Sequence, residues 1–542
     1  MRDLKDEIGE EVKSSDNLSK TGFSSGSDHS VTDSTASLSD NLRVINLRGK
    51  GRLKVVSTWS GGKNGSGDLL VSEKNENTPR ALRTLSQIIE NDLCHRCGSC
   101  VGICPTSVLG LDHEEYPIVK NLSACTDCDL CVKVCPGEEF DAIGTLKEMF
   151  SERKYGIPDI TDMHGYFDDA YLGYSTGEVR KGSTSGGVVS GLLLSLLGAG
   201  EIDGALVVVS DDTEKWKGKP VIARDASTIL ASMKSKYAIA PTNVVLEEIR
   251  KLDGRYAVVG LPCQIHGIIK ASQLDKRISE RIVLKIGLFC HAAVEHEPMK
   301  YLWSKLLTDP ELKNHGKIER FISRVGKHPG TPHVEYSDGT MRPVYFPEKT
   351  GYRPSSMEMI NILYRLYTPS RCLTCYDSTS EFADIAVGDP WMAPPSDDIN
   401  FKDGYSFVLS RTEAGKKYLE MGVGRGDLVL ETLDRNHAKT SNTLMGVEKR
   451  WRAFRVIETR RRQGKPIPEY HFVIPKSSGK HFVLTELNIL SHFFCFLGQG
   501  RLAVLRFILS PAGYYLLRLN NLKREFRNWR RDTMASLKRR LS

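Results

Sequence analysis

Two runs of the form C-x2-C-x2-C-x3-C-P constrain this chain more than any other feature: CHRCGSCVGICP begins at Cys94 and CTDCDLCVKVCP at Cys125. That spacing wraps three thiolates around one face of a cubane and sends the fourth across to a second cubane. On this logic Cys94, Cys97, Cys100 and Cys135 hold one 4Fe–4S cluster, and Cys104, Cys125, Cys128 and Cys131 hold the other. Pro105 and Pro136 end each short helix after the crossing ligand, because proline cannot continue it. Zinc knuckles and disulfides are the alternatives. Zinc usually takes two Cys-x2-4-Cys pairs, not two runs of four followed by proline.

At 542 residues the chain has room for several domains and a substantial core. It carries 13 cysteines, and iron–sulfur chemistry requires a reducing compartment, so disulfides are not expected and the location is expected to be cytoplasmic. MRDLKDEIGEEVKSSD lacks the apolar stretch of a signal peptide, and no run of about 18 apolar residues is present. The net charge of +8 is concentrated at the end: nine Lys or Arg lie from Arg518 onward, against Glu525 and Asp532. A nearly neutral body with a basic tail argues against nucleic acid as a partner and for a local docking element.

Residues 1–82 are rich in Ser, Asp, Thr, Gly and Asn and read as disordered or linker, with one alternating piece, 47–58, able to pair as a strand. A helix over 81–91 leads into a ferredoxin-like unit, 83–146, and VLGLDHEEYPIVKN between the cysteine runs reads as two short strands around a turn. From Tyr166 the texture becomes α/β. RKGSTSGGVVSGLLLSLLGAGEIDGALVVVS predicts a glycine-rich turn, a helix over 187–197 and a buried strand over 204–210. Such a turn presents free backbone N–H groups and a positive dipole end, which suits a phosphate; Ser183, Thr184 and Ser185 add hydroxyls, and Arg180 and Lys181 add charge. A plain helix cap explains the same residues.

RYAVVGLPCQIHGIIKA predicts a strand over 256–259 with Cys263 opening a helix, and VLKIGLFCH places Cys290 at another strand end. RCLTCYDSTSEFADIAVGDPW supplies Cys372 and Cys375, then a strand ending at Gly388-Asp389-Pro390. The carboxyl ends of strands are where open α/β sheets place ligands. Four thiols are what one more cubane needs, yet each also fits as an inert core thiol. Cys495 has no such company.

The blocks STSGGVVSGLLLSLL with EIDGALVV, SKYAIA, YAVVGLPCQIHGI, GLFCH and RCLTCYDSTSEFADIAVGDPW resemble the coenzyme F420 hydrogenase/dehydrogenase beta-subunit family over roughly residues 166–430. That family includes the flavin-bearing subunits of F420-reducing hydrogenase, formate dehydrogenase beta chains and 7-hydroxymethyl chlorophyll a reductase. The resemblance implies one FAD and one further 4Fe–4S cluster, with Cys263, Cys290, Cys372 and Cys375 as its ligands. It implies that Ser183, Thr184, Ser185, Gly186 and Gly187, together with Lys234, Lys236 and Tyr237, face the flavin. No catalytic residue carries over; His291, beside Cys290, is a candidate proton donor, although a lone His is more often structural.

The expected fold is therefore α+β and α/β in several domains. A bacterial-type double-cluster ferredoxin domain (83–146) precedes an α/β flavin- and iron–sulfur-binding core (147–250 and 251–430) and a helical, basic C-terminal extension (431–542). In that extension the apolar stretch is broken by Arg501 and Arg506, so it reads as an interfacial or partner-binding helix, or as a helix capping the protein's own core. The expected function is an iron–sulfur flavoprotein oxidoreductase that moves electrons between ferredoxin-type clusters and a small-molecule two-electron substrate, coenzyme F420 or similar, through FAD. The alternatives are a ferredoxin-dependent reductase of another metabolite and a non-catalytic electron-transfer subunit. Expected partners are ferredoxin or a dehydrogenase or hydrogenase subunit, with a peripheral membrane contact through the basic tail.

Overall fold

The computed structural model describes residues 44–46, 53–57, 70–71, 78–150, 159–344, 355–476, 479–492, 495, 498, 500–513, 515 and 533. All of them belong to the unit Leu42–Ser542. The basic run after Arg518 and most of the segment expected to be linker lie outside these residues, save for short strands.

Those strands are β1 (Val44–Asn46), β2 (Leu53–Ser57) and β3 (Leu70–Val71). They extend the ferredoxin hairpin of β4 (Leu109–Leu111) and β5 (Pro117–Val119) into a five-stranded sheet in the order β3-β2-β1-β5-β4. Ile45 pairs antiparallel with Val119, so linker status does not hold for this part of 1–82. The reason is the open edge of β5, whose backbone groups need partners. The expected leading helix is Arg80–Glu90; its face of Ala81, Leu82, Leu85, Ile88 and Ile89 is buried.

The core is an eight-stranded mixed sheet built from β6 (Asp169–Ser175), β7 (Gly204–Ser210), β8 (Gly218–Ala223), β9 (Tyr256–Gly260) and β10 (Ile282–Leu288), continuing after β11 (Ile318–Val325), β12 (Thr331–Tyr336) and β13 (Met341–Pro343) with β14 (Ile385–Gly388), β15 (Ser406–Ser410) and β16 (Leu428–Thr432). Its order is β16-β6-β15-β14-β10-β9-β7-β8. The central strands β14, β10, β9 and β7 are parallel, and antiparallel partners flank them. The near-continuous apolar sequences of the central strands follow from burial on both faces. β11, β12 and β13 form a separate antiparallel sheet.

The ferredoxin-like unit is docked tightly on this core. Asn243 donates to the Cys97 carbonyl at 2.9 Å and to Ser99 Oγ at 2.8 Å, and Arg250 donates to the carbonyls of Ile103 (2.6 Å) and Cys104 (2.9 Å). Phe140 stacks on His266 at 4.0 Å, and Ile103, Val134 and Phe140 share one apolar cluster with Tyr256, Ile265 and Ile268.

The segment after residue 431 is more than an appendage. The helix Thr443–Arg462 buries Gly446, Lys449, Arg450, Ala453, Phe454 and Ile457, a stripe at i, i+3, i+4, i+7, i+8 and i+11. Glu469 then pairs with the ferredoxin unit, its carbonyl accepting from the Phe140 N–H at 2.8 Å. In the helix Gly500–Ile508, Leu505 is buried in the core. Among the described residues no helix is long and apolar enough to cross a membrane.

Candidate functional site

Cysteines of the two runs lie near enough to feel one another's charge. Burial, then the charges of Cys135 and Cys97, pushes the Cys94 thiol up to about 12, and Cys135 is raised to about 11 by burial and Cys97. Cys100 is raised well above the ordinary thiol range by burial and then by Cys94, Cys97 and Cys135. In the second set burial, then Cys104, Cys128 and Cys125, raises Cys131 to about 12. Burial is the larger cause and the neighbouring thiols the lesser one; a cluster bound there would take these sulfurs as thiolates and release their protons.

Cys263, Cys290, Cys372 and Cys375 form a third set. Burial raises Cys263 well above its ordinary value, followed by Cys375, Cys97, Cys290 and Cys372. Cys290 is raised to about 12, chiefly by burial. Cys263 opens the helix Pro262–Leu274 after β9, and Cys290 follows the end of β10. Cys372 and Cys375 come from the turn at Ser370–Thr374, which the chain folds back onto β10: the Cys290 N–H donates to the Ser378 carbonyl at 2.9 Å, and Ser380 Oγ donates to the Leu288 carbonyl at 2.9 Å.

The three sets are contiguous, because Cys131 acts on Cys100 and Cys97 acts on Cys263. The second set is outermost: Cys128 is exposed, and all four of its cysteines line one cavity. None of the thirteen cysteines forms a disulfide. Among the described residues no three His, Cys, Asp or Glu converge closely enough for a single ion. Sets of four thiols are the donor set that a 4Fe–4S cluster takes.

At the glycine-rich turn Gly187, with φ +76°, caps the helix Val188–Gly198. A Cβ on Gly186 would lie 2.3 Å from the Gly173 carbonyl, so only glycine lets the turn pass this close to β6. The hydroxyls expected to meet a phosphate are committed elsewhere. Ser183 Oγ donates to Val179 O (2.6 Å), Thr184 Oγ1 to Arg324 O (3.0 Å) and Ser185 Oγ to Asp389 Oδ1 (2.6 Å). The chain satisfies them itself because the turn packs against β11 and the end of β14. Of the cations expected there, Lys181 pairs with Glu178 and Arg180 bonds the Gly404 carbonyl, so what remains for an anion is the helix N-terminus and the lysines of the next segment.

Lys234 lies at φ +74°, its ammonium bonded to the Gly182 carbonyl. Lys236 is partly buried and donates to the carbonyls of Ser232 (2.9 Å), Met233 (3.1 Å) and Lys234 (3.3 Å). Burial, with Arg320 adding repulsion, holds it down at about 7. Neither lysine makes an ion pair with a carboxylate among the described residues; Lys234 keeps donors for an anion, whereas Lys236, whose three donors go to carbonyls, would meet one through its charge and by giving up a carbonyl. A pyrophosphate-bearing cofactor such as FAD fits this donor set. Tyr237 sits beside Arg324 and Asp389, which pair at 2.8 Å, and Arg324 Nη2 lies 3.1 Å from His328 Nδ1.

Arg324 and Asp389 escaped sequence reasoning; only the GDP triplet that ends β14 hinted at the second. His291, the candidate proton donor, is partly buried among cations. Arg452 Nη1 lies 3.2 Å from its Nε2, its Nδ1 finds no partner, and burial followed by Arg452 and Lys449 holds it well below the ordinary imidazole value. Two buried cations beside the thiols were also missed. Arg371 donates to the carbonyls of Leu93 (3.1 Å) and Gly137 (3.2 Å), and Lys449 to that of Cys290 (2.7 Å).

Residues 170–247 match the N-terminal family model of the coenzyme F420 hydrogenase/dehydrogenase beta subunit, residues 253–436 match its C-terminal counterpart, and residues 86–136 match a 4Fe–4S dicluster domain. The chain is 27% identical to a subunit of the F(420)H(2) dehydrogenase of Methanosarcina mazei, over 62% of this chain and 84% of that protein. It is 26% identical to the coenzyme F420 hydrogenase beta chain of Methanothermobacter thermautotrophicus, over 54% of this chain and 94% of that protein. It is 29% identical to the coenzyme F420-dependent sulfite reductase of Methanocaldococcus jannaschii, over 61% of this chain but only 46% of that longer protein.

Proposed function

Because this chain belongs to the coenzyme F420 hydrogenase/dehydrogenase beta-subunit family and carries a 4Fe–4S dicluster domain ahead of the family core, we propose that it is an oxidoreductase joining single-electron carriers to a two-electron organic substrate through FAD, with coenzyme F420 or a similar compound as that substrate. When bound, iron–sulfur clusters exchange single electrons and a flavin exchanges one or two, so together they supply that conversion. The observation that carries the reading is the contiguity of the three cysteine sets, Cys131 against Cys100 and Cys97 against Cys263.

The protein's own part is to hold and shield. Arg371 ties the loops of Leu93 and Gly137 to the turn that bears Cys372 and Cys375, fixing the separation between inner ferredoxin set and core set. Lys234, Lys236 and the N-terminus of Val188–Gly198 would hold the pyrophosphate of FAD, and Arg324, fixed by Asp389, stands beside them. Docking to a partner protein or an anionic membrane falls to the C-terminal region: Val483, Leu484, Leu487 and Leu490 of the helix Gly479–Ser491 are exposed, and the basic sequence from Arg518 follows.

The test is anaerobic purification followed by a visible spectrum and an iron count. Flavin bands with about twelve iron per chain, three cubanes of four, support the reading; a colourless protein sinks it. Reduced ferredoxin is then offered with F420 as acceptor. Turnover supports F420 as substrate, turnover only with another acceptor gives a different reductase, and no turnover without a partner gives an electron-transfer subunit.

A further inference from the structure

The three cysteine sets sit in unlike electrostatic surroundings. Around the outermost set the charged neighbours are acidic: the Asp127 charge acts on Cys125, and Asp129 caps the helix that bears Cys131. Those carboxylates are met at the surface by Arg80, whose side chain pairs with Asp129 and whose N–H donates to Asp127 at 3.1 Å, by the Ala81 N–H, which donates to Asp127 at 2.7 Å, and by the charge of Arg83. Around the core set the neighbours are cations. Lys449 is 2% exposed, and its ammonium donates to the Cys290 carbonyl at 2.7 Å. Its charged surroundings are Cys375, Cys290, Asp377 and Cys372, and it forms no ion pair among the described residues. Asp377 is already engaged with His266 at 3.1 Å. On the side facing the ferredoxin unit lies Arg371, also 2% exposed, bonded only to neutral oxygens: the carbonyls of Leu93, Gly137 and Pro136, Thr374 Oγ1 and the Tyr470 hydroxyl.

Burying a cation without a carboxylate is costly unless something else negative is present. The negative partner available to Lys449 is the core set of thiolates. Lys449 lies beyond residue 436, where the match to the family core ends, and reaches the site because the helix Thr443–Arg462 packs on the Ser370–Thr374 turn.

We propose that Lys449 raises the reduction potential of the core cluster above that of the outermost one, so that electrons arriving at the exposed ferredoxin face run downhill into the core. The inference rests on the reading that Cys263, Cys290, Cys372 and Cys375 hold a cluster. Reduction adds one electron, and so one negative charge, to the iron and its four thiolates. A fixed cation in a dry site stabilises that extra charge and favours the reduced form. Lys449 acts through the thiolates and touches no substrate.

The experiment uses the full chain, reconstituted anaerobically, with an iron count followed by a dithionite redox titration monitored by electron paramagnetic resonance. Lys449→Gln keeps a donor for the Cys290 carbonyl and removes the charge, Lys449→Met removes both, and Lys449→Arg keeps the charge. With iron unchanged, the Gln and Met variants are expected to shift the core cluster toward its oxidised form about tenfold at a given poise, which is ~59 mV for a one-electron couple. The Arg variant is expected to stay near wild type, and the two ferredoxin signals are expected not to move. An unmoved core potential in the Gln variant overturns the proposal. So does a loss of about four iron from the Gln variant, because the lysine then builds the site instead of poising it. A wild-type iron count near eight is seen before any variant is made and overturns the cluster assignment itself.

Discussion

Replacing Lys236 with Met is expected to weaken flavin binding while leaving the flavin-free protein as stable as before, or more so. Lys236 breaks no ion pair when it is lost, because its three hydrogen bonds go to the carbonyls of Ser232, Met233 and Lys234. Burial holds it at about 7. Set against the ordinary ~10.4, that depression corresponds to at most roughly 5 kcal/mol of unfavourable charging, at about 1.36 kcal/mol per tenfold, and solvent screening of a partly buried ammonium reduces the figure. An anion laid against Lys236 returns part of this cost. A hydrogen bond to a charged group contributes about 1.5–3 kcal/mol, so the variant should lose roughly tenfold to 150-fold in flavin affinity. The pH dependence has a definite sign. Between about 7 and the ordinary lysine value the unfolded chain holds a proton that the folded one lacks, so stability of the flavin-free protein rises with pH across that window. Flavin affinity falls across the same window, because binding must then take up a proton. The assay is titration of apoprotein with FAD at several pH values, alongside thermal melts. Unchanged FAD affinity in the variant, or a wild-type affinity flat in pH from 7 to 9, would refute the assignment of Lys236 to the flavin phosphates.

Cys375→Ser is expected to remove about four of twelve iron and to stop flavin reduction by ferredoxin, while the spectroscopic signals of the ferredoxin-like unit persist; survival of flavin reduction would mean the core cysteines are not cluster ligands. Gly102→Ala places a Cβ 2.1 Å from the Asn243 carbonyl and 3.0 Å from Leu246 Cβ, in the seam between the ferredoxin unit and the core. It should cost about 1–3 kcal/mol as overpacking does, read as a shifted denaturation midpoint. Truncation after Arg518 removes eight of the nine basic residues counted from Arg518. It should release the protein from anionic vesicles in co-sedimentation without changing dye-linked activity, and undiminished sedimentation would eliminate the tail as an anchor.

Local chemistry was legible in the chain. The spacing of two cysteine runs limits which thiolates can chelate one cluster, because the reach of two or three residues leaves little choice, and within each proposed set cysteines lie near enough to feel one another's charge. Strands β7 and β9 run over Gly204–Ser210 and Tyr256–Gly260, close to where apolar runs bounded by glycine put them. The helix Thr443–Arg462 was harder to read as core. Its buried stripe includes Lys449 and Arg450, and an apolarity pattern takes cations at inward positions for a solvated face.

What the sequence determined by itself was the spacing of the candidate cluster ligands and much of the alternation of strands and helices, since both depend on neighbours within a few residues. Only the tertiary structure decided how the hydroxyls of Ser183, Thr184 and Ser185 are spent, that Arg324 closes onto Asp389 across 65 residues, and that Lys449 reaches Cys290 across 159. Those contacts pair groups distant in sequence. They exist because buried polar atoms must find partners wherever packing happens to place them.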